Sequence, residues 1–147
     1  MFWRGLLSRP SRVSHRENRL MTRQAHILIA EDNAALGNVL KFNLQRAGFR
    51  VTLVSEGRSA LEHLEAAPFD LLVTDQQMPL VDGSEICRRM RSMPHHASTP
   101  VILVTAKGLE LNLETLRAEL GVAAIFPKPF SPSAVLQKVE ECLSACS

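Results

Sequence analysis

Five side chains in this 147-residue sequence are of types that could together manage a metal ion and a phosphorylated anion: Glu31, Asp32, Asp75, Thr105 and Lys128. Each stands within two residues of the end of a short apolar run. Three carboxylates brought close repel one another and raise each other's pKa unless a cation stands among them. An all-oxygen ligand set suits Mg²⁺ or another hard divalent ion, which keeps several waters and readily accepts a phosphate oxygen. Lys128 adds a point charge, and Thr105 can donate a hydrogen bond to an anionic oxygen. Metal, ammonium and hydroxyl around one carboxylate are the parts that stabilise a phosphoryl group in transfer. Asp75 is the natural nucleophile, because its run falls between the acidic pair and Thr105 in the expected sheet.

The elements that must bring these residues together are readable as alternating periodicities. Runs 26–30 (His-Ile-Leu-Ile-Ala), 51–54, 69–74, 101–104 and 123–126 have the apolar character of buried strands. Between them, apolar residues recur at helical spacing. Leu36, Val39, Leu40, Leu44 and Ala47 predict a first helix stopped by Gly48. Ala60, Leu61 and Leu64 predict a second, ended before Pro68. Ile86, Met90 and Met93 predict a third, and Leu109, Leu113, Leu116 and Leu120 a fourth that stops at Gly121. Ser131 as cap and Pro132 at the first helical position open a fifth, burying Val135, Leu136, Val139 and Leu143. Five strands alternating with five helices imply right-handed crossovers and a parallel sheet covered on both faces. Ligands of such sheets bind beyond the carboxyl ends of the strands, where the five side chains are expected.

At these positions the sequence resembles the receiver domain of two-component response regulators, as in the single-domain chemotaxis regulator. The resemblance spans about residues 25–145. It rests on Glu31-Asp32, on the stretch from Asp75 through Met78-Pro79 to Asp82-Gly83, on Thr105-Ala106 and on Lys128-Pro129-Phe130. It implies a flavodoxin-like α/β fold, a (βα)5 doubly wound parallel sheet with strand order 2-1-3-4-5. It also implies Asp75 as phosphoacceptor and a metal site of Glu31, Asp32, Asp75 and the backbone carbonyl of Gln77, filled by Mg²⁺ or Mn²⁺. Thr105 and Lys128 would contact the phosphoryl oxygens. The switch positions would be Thr105 and Ile125, the latter aliphatic where the family usually carries an aromatic. Phe126, one residue later, should face the opposite way. Gln77 and Lys107 fall where the family tunes phosphate loss, and Gln76 is polar where it is usually apolar. The expected donors are a sensor histidine kinase or a phosphotransfer protein.

The bulk properties agree with one folded domain, residues 25–147, behind a basic extension, residues 1–24. Apolar residues make up 46% and charged residues 22%, ordinary values that exclude wholesale disorder. The formal charge of +2 conceals an asymmetry: residues 1–20 hold five Arg and one acid, whereas residues 21–147 hold 12 basic and 14 acidic groups. The domain therefore offers no broad positive field for nucleic acid. Within the extension, Met21 is a candidate start, and the Arg- and Ser-rich stretch before it also fits a targeting peptide or a short membrane contact. Cys87, Cys142 and Cys146 form no C-x-x-C pair, and a reducing cytoplasm is the expected compartment. No apolar run approaches the roughly 20 residues of a membrane-spanning helix. His95-His96 reads as part of a polar loop.

Only 17 residues follow Phe130. The expected output is thus a protein contact through the surface of the fourth helix, fifth strand and fifth helix, and no catalysis beyond the domain's own phosphorylation and dephosphorylation. The alternatives are a pseudo-receiver binding module with little phosphorylation and a receiver fragment of a hybrid histidine kinase. A flavodoxin would place a hydroxyl-rich phosphate loop where Glu31-Asp32 stands. A haloacid-dehalogenase-type phosphatase would need an Asp at Gln77, and the P-loop motif is missing.

Overall fold

The computed structural model describes residues 24–106 and 111–145. Residues 1–23 of the expected extension, with Lys107, Leu109 and Cys146, lie outside them. The elements are β1 His26–Ala30, α1 Ala34–Arg46, β2 Arg50–Val54, α2 Gly57–Ala66, β3 Leu71–Asp75, α3 Gly83–Met90, a 3-10 turn Pro94–His96, β4 Val101–Thr105, α4 Leu113–Leu120, β5 Val122–Pro127 and α5 Pro132–Ala145. All strand pairs are parallel, and the order β2-β1-β3-β4-β5 is the expected one.

Side chains alternate across the sheet because successive Cβ atoms point to opposite faces. Ile27, Ile29, Leu71, Val73, Ile102 and Val104 join Leu40 and Leu44 of α1 and Val135, Val139 and Leu143 of α5 in one apolar layer. Leu28, Ala30, Leu72, Val101 and Leu103 pack on the other face with Leu64 of α2, Ile86 and Met90 of α3, and Leu120 of α4. Each fully buried Leu or Ile contributes roughly 1.5–3 kcal/mol relative to exposure. Covering both faces explains why the three inner strands read as apolar runs.

Several local details differ from the sequence expectation. Val39 is 43% exposed, so the buried stripe of α1 is Gly37, Leu40 and Leu44. Gly37 packs close to Leu53 of β2, and Val39 and Phe42 lie on the exposed side of α1. β3 starts at Leu71 rather than Phe69. Phe69 remains buried, its ring 4.4 Å from that of His26 and 6.4 Å from that of His96. Nor are His95 and His96 in a polar loop: they belong to the 3-10 turn, and His96 is fully buried. Its Nδ1 pairs with Thr99 Oγ1 at 2.9 Å and its Nε2 with the Ala67 carbonyl at 3.2 Å. Both polar ring atoms are therefore satisfied, which is what allows a histidine at a core position.

Helix ends follow the residues available. Asn33 caps α1 by accepting from the Leu36 N–H at 3.0 Å. Asp82 and Asn112 do the same for α3 and α4, accepting from Glu85 and Thr115. Gly48 and Gly121, at φ 102° and 71°, end α1 and α4 in the left-handed region that glycine tolerates. Arg91, just past α3, donates to the carbonyls of Leu120, His96 and Gly121 at 2.6, 2.9 and 3.4 Å. One guanidinium thereby ties the ends of three elements together.

Gly57 opens α2 against the backbone of Val81, where a Cβ would collide with the Val81 carbonyl oxygen. Gly57→Ala should destabilise the protein by about 1–3 kcal/mol. A lowered denaturant midpoint with an unchanged slope would show it; an unaltered midpoint would mean that the β3–α3 loop yields freely.

Candidate functional site

The carboxyl ends of β1, β3, β4 and β5 deliver the expected residues to one rim. The Glu31 N–H extends the β1 ladder, donating to the Val54 carbonyl at 3.0 Å, and turns the side chain inward to 2% exposure. Asp32 follows in an exposed position, released from capping by Asn33. Asp75 and Thr105 are the last residues of their strands rather than the first beyond them, at 3% and 2% exposure. The Lys128 N–H donates to the Thr105 carbonyl at 2.7 Å, fixing where the lysine side chain departs. The Lys128–Pro129 peptide is cis.

Lys128 Nζ reaches Asp75 Oδ2 at 3.2 Å and both Glu31 oxygens at 3.4 Å. Glu31, Asp32 and Asp75 each offer an oxygen within 4.8 Å of the others. Burial pushes the Glu31 carboxyl up to about 7. A hydrogen bond from the Asn33 N–H opposes that rise, Asp75 reinforces it, and Lys128 reduces it. Burial would also lower the Lys128 pKa, but the Asp75 hydrogen bond and the two carboxylate charges outweigh it and hold the ammonium above the ordinary lysine value. Glu31 Oε1 has no hydrogen-bond partner among the described residues; its approach to Nζ is ionic only. A buried, unsatisfied carboxylate oxygen beside two further carboxylates suits a hard divalent cation, so the donor set fits Mg²⁺.

The loop after Asp75 shapes the mouth. An open hollow of about 550 Å³ is lined by Gln76, Gln77, Met78, Pro79 and Asp82. Gly83 presses against Asp75, where a Cβ would stand 2.8 Å from the Asp75 carbonyl oxygen. Within the loop, Leu80 adopts φ 72°, the one positive value among described non-glycine residues, and its side chain is fully exposed. The Val81 N–H to Pro79 carbonyl bond, 2.8 Å, closes this tight turn. On the other side of the rim, Leu36, Ala106, Pro129 and Phe130 surround an apolar hollow of about 420 Å³ beside Lys128.

The expected switch and tuning residues are partly placed. Ile125 packs against the α2–α3–α4 layer and Phe126 against the α1–α5 layer, on opposite faces as the alternation requires. Gln76 Oε1 accepts from the Ser84 hydroxyl at 3.0 Å, which accounts for a polar residue there. The Gln77 backbone N–H donates to Asp75 Oδ1 at 3.3 Å. Its side chain does what spacing could not reveal: Nε2 donates to Thr105 Oγ1 at 3.3 Å, and Oε1 accepts from the Ala106 N–H at 2.8 Å. The Asn33 cap and the contact of Gly83 with Asp75 were likewise hidden in the sequence, since each depends on the path of a loop.

The family model for the response regulator receiver domain matches residues 27–140. The alkaline phosphatase synthesis transcriptional regulatory protein PhoP of Bacillus subtilis is 35% identical over 117 residues, covering 80% of this chain and 48% of the relative. The chain thus spans about half the length of the curated relatives it matches. Among solved structures, the chemotaxis response regulator CheY4 of Vibrio cholerae is 26% identical with a TM-score of 0.72, over 81% of this chain and 98% of that one. A sensor histidine kinase receiver domain from Pseudomonas aeruginosa, with magnesium coordinated in its active-site cleft, is 26% identical with a TM-score of 0.72, over 82% and 98%. Fold, carboxylate rim and family match agree, and the chain belongs to the response regulator receiver domain family.

Proposed function

We propose that this chain works as a phosphorylation switch whose acceptor is Asp75. The observation that carries the reading is the Lys128 ammonium between Asp75 and Glu31, beside a buried carboxylate oxygen that lacks a partner. The donor is a phosphohistidine on a sensor histidine kinase or phosphotransfer protein. An Asp75 carboxylate oxygen attacks phosphorus, the phosphorus–nitrogen bond breaks, and the electron pair leaves with the imidazole. The product is an acyl phosphate. Lys128 pairs with the phosphoryl oxygens, and Thr105 supplies a hydroxyl donor. A divalent cation, Mg²⁺ or in its place Mn²⁺, held by Glu31, Asp32, Asp75 and the Gln77 carbonyl, would supply charge neutralisation for the transferring oxygens. Gln77 and Lys107 shield the acyl phosphate and slow its hydrolysis.

In this reading the chain performs no catalysis beyond its own phosphorylation and dephosphorylation, and it works in the cytoplasm. Its output is a protein contact across α4, β5 and α5, with Thr105 and Ile125 relaying the phosphorylated state. Nucleic acid is not a partner of the domain, whose charge is slightly acidic. Stable membrane insertion is not part of this reading either, and no described helix is long and apolar enough to cross a membrane. A second reading has the chain as the receiver portion of a longer regulator, and its coverage of about half of each curated relative favours that.

Incubation with Mg²⁺ and acetyl phosphate should add the mass of one phosphoryl group, and Asp75→Asn should gain none. Lys128→Ala should slow the gain by roughly 10²-fold, the usual cost of removing one donor that stabilises transition-state charge. No adduct from acetyl phosphate or from a phosphorylated kinase would turn the reading to a pseudo-receiver.

The Glu31 shift makes a separate prediction. With its pKa raised from 4.5 to about 7 on folding, Glu31 holds a proton in the folded state that the unfolded chain releases. Metal-free protein should therefore lose stability as pH rises through that window. A bound cation favours the carboxylate, so the stabilisation by Mg²⁺ should grow as pH rises from about 6 to about 8. Thermal midpoints with Mg²⁺ and with chelator would measure both trends, and Glu31→Gln should flatten them.

A further inference from the structure

Leu36, Val39 and Phe42 follow one another at three-residue spacing along α1, so their side chains form a row of neighbours. Val39 is 43% and Phe42 59% exposed, so no described residue buries this row. It runs from the C-terminal half of α1 to the first turn, where Leu36 borders the apolar hollow of about 420 Å³ shared with Ala106, Lys128, Pro129 and Phe130. Lys128 joins that hollow to the carboxylate rim, because its Nζ stands 3.2 Å from Asp75 Oδ2.

The chain enters the domain at the foot of the same row. Gln24 Nε2 donates to the Gly48 carbonyl at 2.9 Å, and the Ala25 carbonyl accepts from the Arg50 N–H at 2.9 Å, which sets the first described residues beside the turn that ends α1. The sequence before Gln24 carries an apolar cluster at its far end: Phe2, Trp3, Leu6 and Leu7, around Arg4 and Gly5. Residues 8–23 can span at most about 55 Å, against roughly 20 Å along the 13 residues of α1, so the cluster can reach the hollow. Charge favours the same destination. Residues 1–20 hold five Arg and one acid, whereas the rim beside the hollow sets three carboxylates, Asp32 exposed among them, against Lys128.

We propose that the apolar cluster of residues 2–7 seats in the hollow between Leu36 and Phe130 of the same chain, with the intervening residues passing along α1 and their arginines drawn to the acidic rim. The occupant is the chain's own basic extension, and it closes one side of the carboxylate rim.

Trp3 is the single tryptophan and there is no tyrosine, so the intrinsic emission of the full chain comes from the extension alone. Trp3 should emit at shorter wavelength in the folded chain than in the same chain unfolded by urea, and should resist quenching by acrylamide. Leu36→Gln and Phe130→Ala should each return the emission to the unfolded wavelength. Those two residues belong to the folded domain, so Trp3→Ala supplies a second readout from a change in the extension itself: the backbone amide signals of Leu36, Ala106 and Phe130 should move when the indole ring is removed. Emission at the unfolded wavelength in wild type overturns the proposal. So does a shift that both hollow variants leave in place, or amide signals that Trp3→Ala leaves unmoved. A shift that grows with protein concentration assigns the hollow to the extension of a second copy, and one that appears only with anionic lipid vesicles assigns the extension to a membrane surface; either overturns docking within one chain.

Discussion

Gathering three carboxylates at the end of a buried parallel sheet is electrostatically costly, and Lys128 is what makes the arrangement tolerable. Its ammonium stands within 3.4 Å of Glu31 and 3.2 Å of Asp75, both nearly sealed from water. Repulsion in such a site is weakly screened, so each acid depends on the nearby cation. The compensation is incomplete, because Glu31 still titrates near neutrality and one of its oxygens lacks a hydrogen bond. That residual negative charge is what a divalent ion would meet. The rest of the architecture brings one lysine from β5 across the sheet to acids on β1 and β3.

That reach is possible because parallel strands end on the same side. β3 lies between β1 and β4, so the last residue of β3 is flanked by the acids after β1 and by Thr105 at the end of β4. Helices on both faces seal the three inner strands, so the site is confined to the rim at their carboxyl ends. Loops then refine the mouth. Asn33 takes over the cap of α1, which leaves Asp32 exposed, and Gly83 lets α3 begin close to the Asp75 carbonyl.

The sequence carried the fold and the principal site residues because both depend on periodicity and on order along the chain. Strand order, both apolar layers, and the convergence of Glu31, Asp32, Asp75, Thr105 and Lys128 follow from alternating runs and their termini. It carried less where a side chain's fate depends on a neighbour distant in sequence. Val39 matched the helical spacing of α1, yet the face that packs is the one carrying Gly37, Leu40 and Leu44, and Val39 lies outside it. His96 looked like loop because histidine is polar, but Thr99 and the Ala67 carbonyl satisfy it inside the core. The second role of Gln77 was hidden for the same reason, since its partners are 28 and 29 residues away.

Leu80 illustrates how the loop's shape is decided. A leucine at φ 72° resists that backbone geometry, and its side chain finds no shelter from water. The turn is nevertheless held, by the Pro79–Val81 bond inside it and by Gly57 and Gly83, which bring α2 and α3 against its ends. Its conformation is imposed from outside, and position 80 itself has no packing duty. Among homologous chains such a site is free to diverge. Lineages sharing this scaffold can vary the chemistry displayed beside the acceptor at little cost to folding, and asparagine or glycine there would even relieve strain.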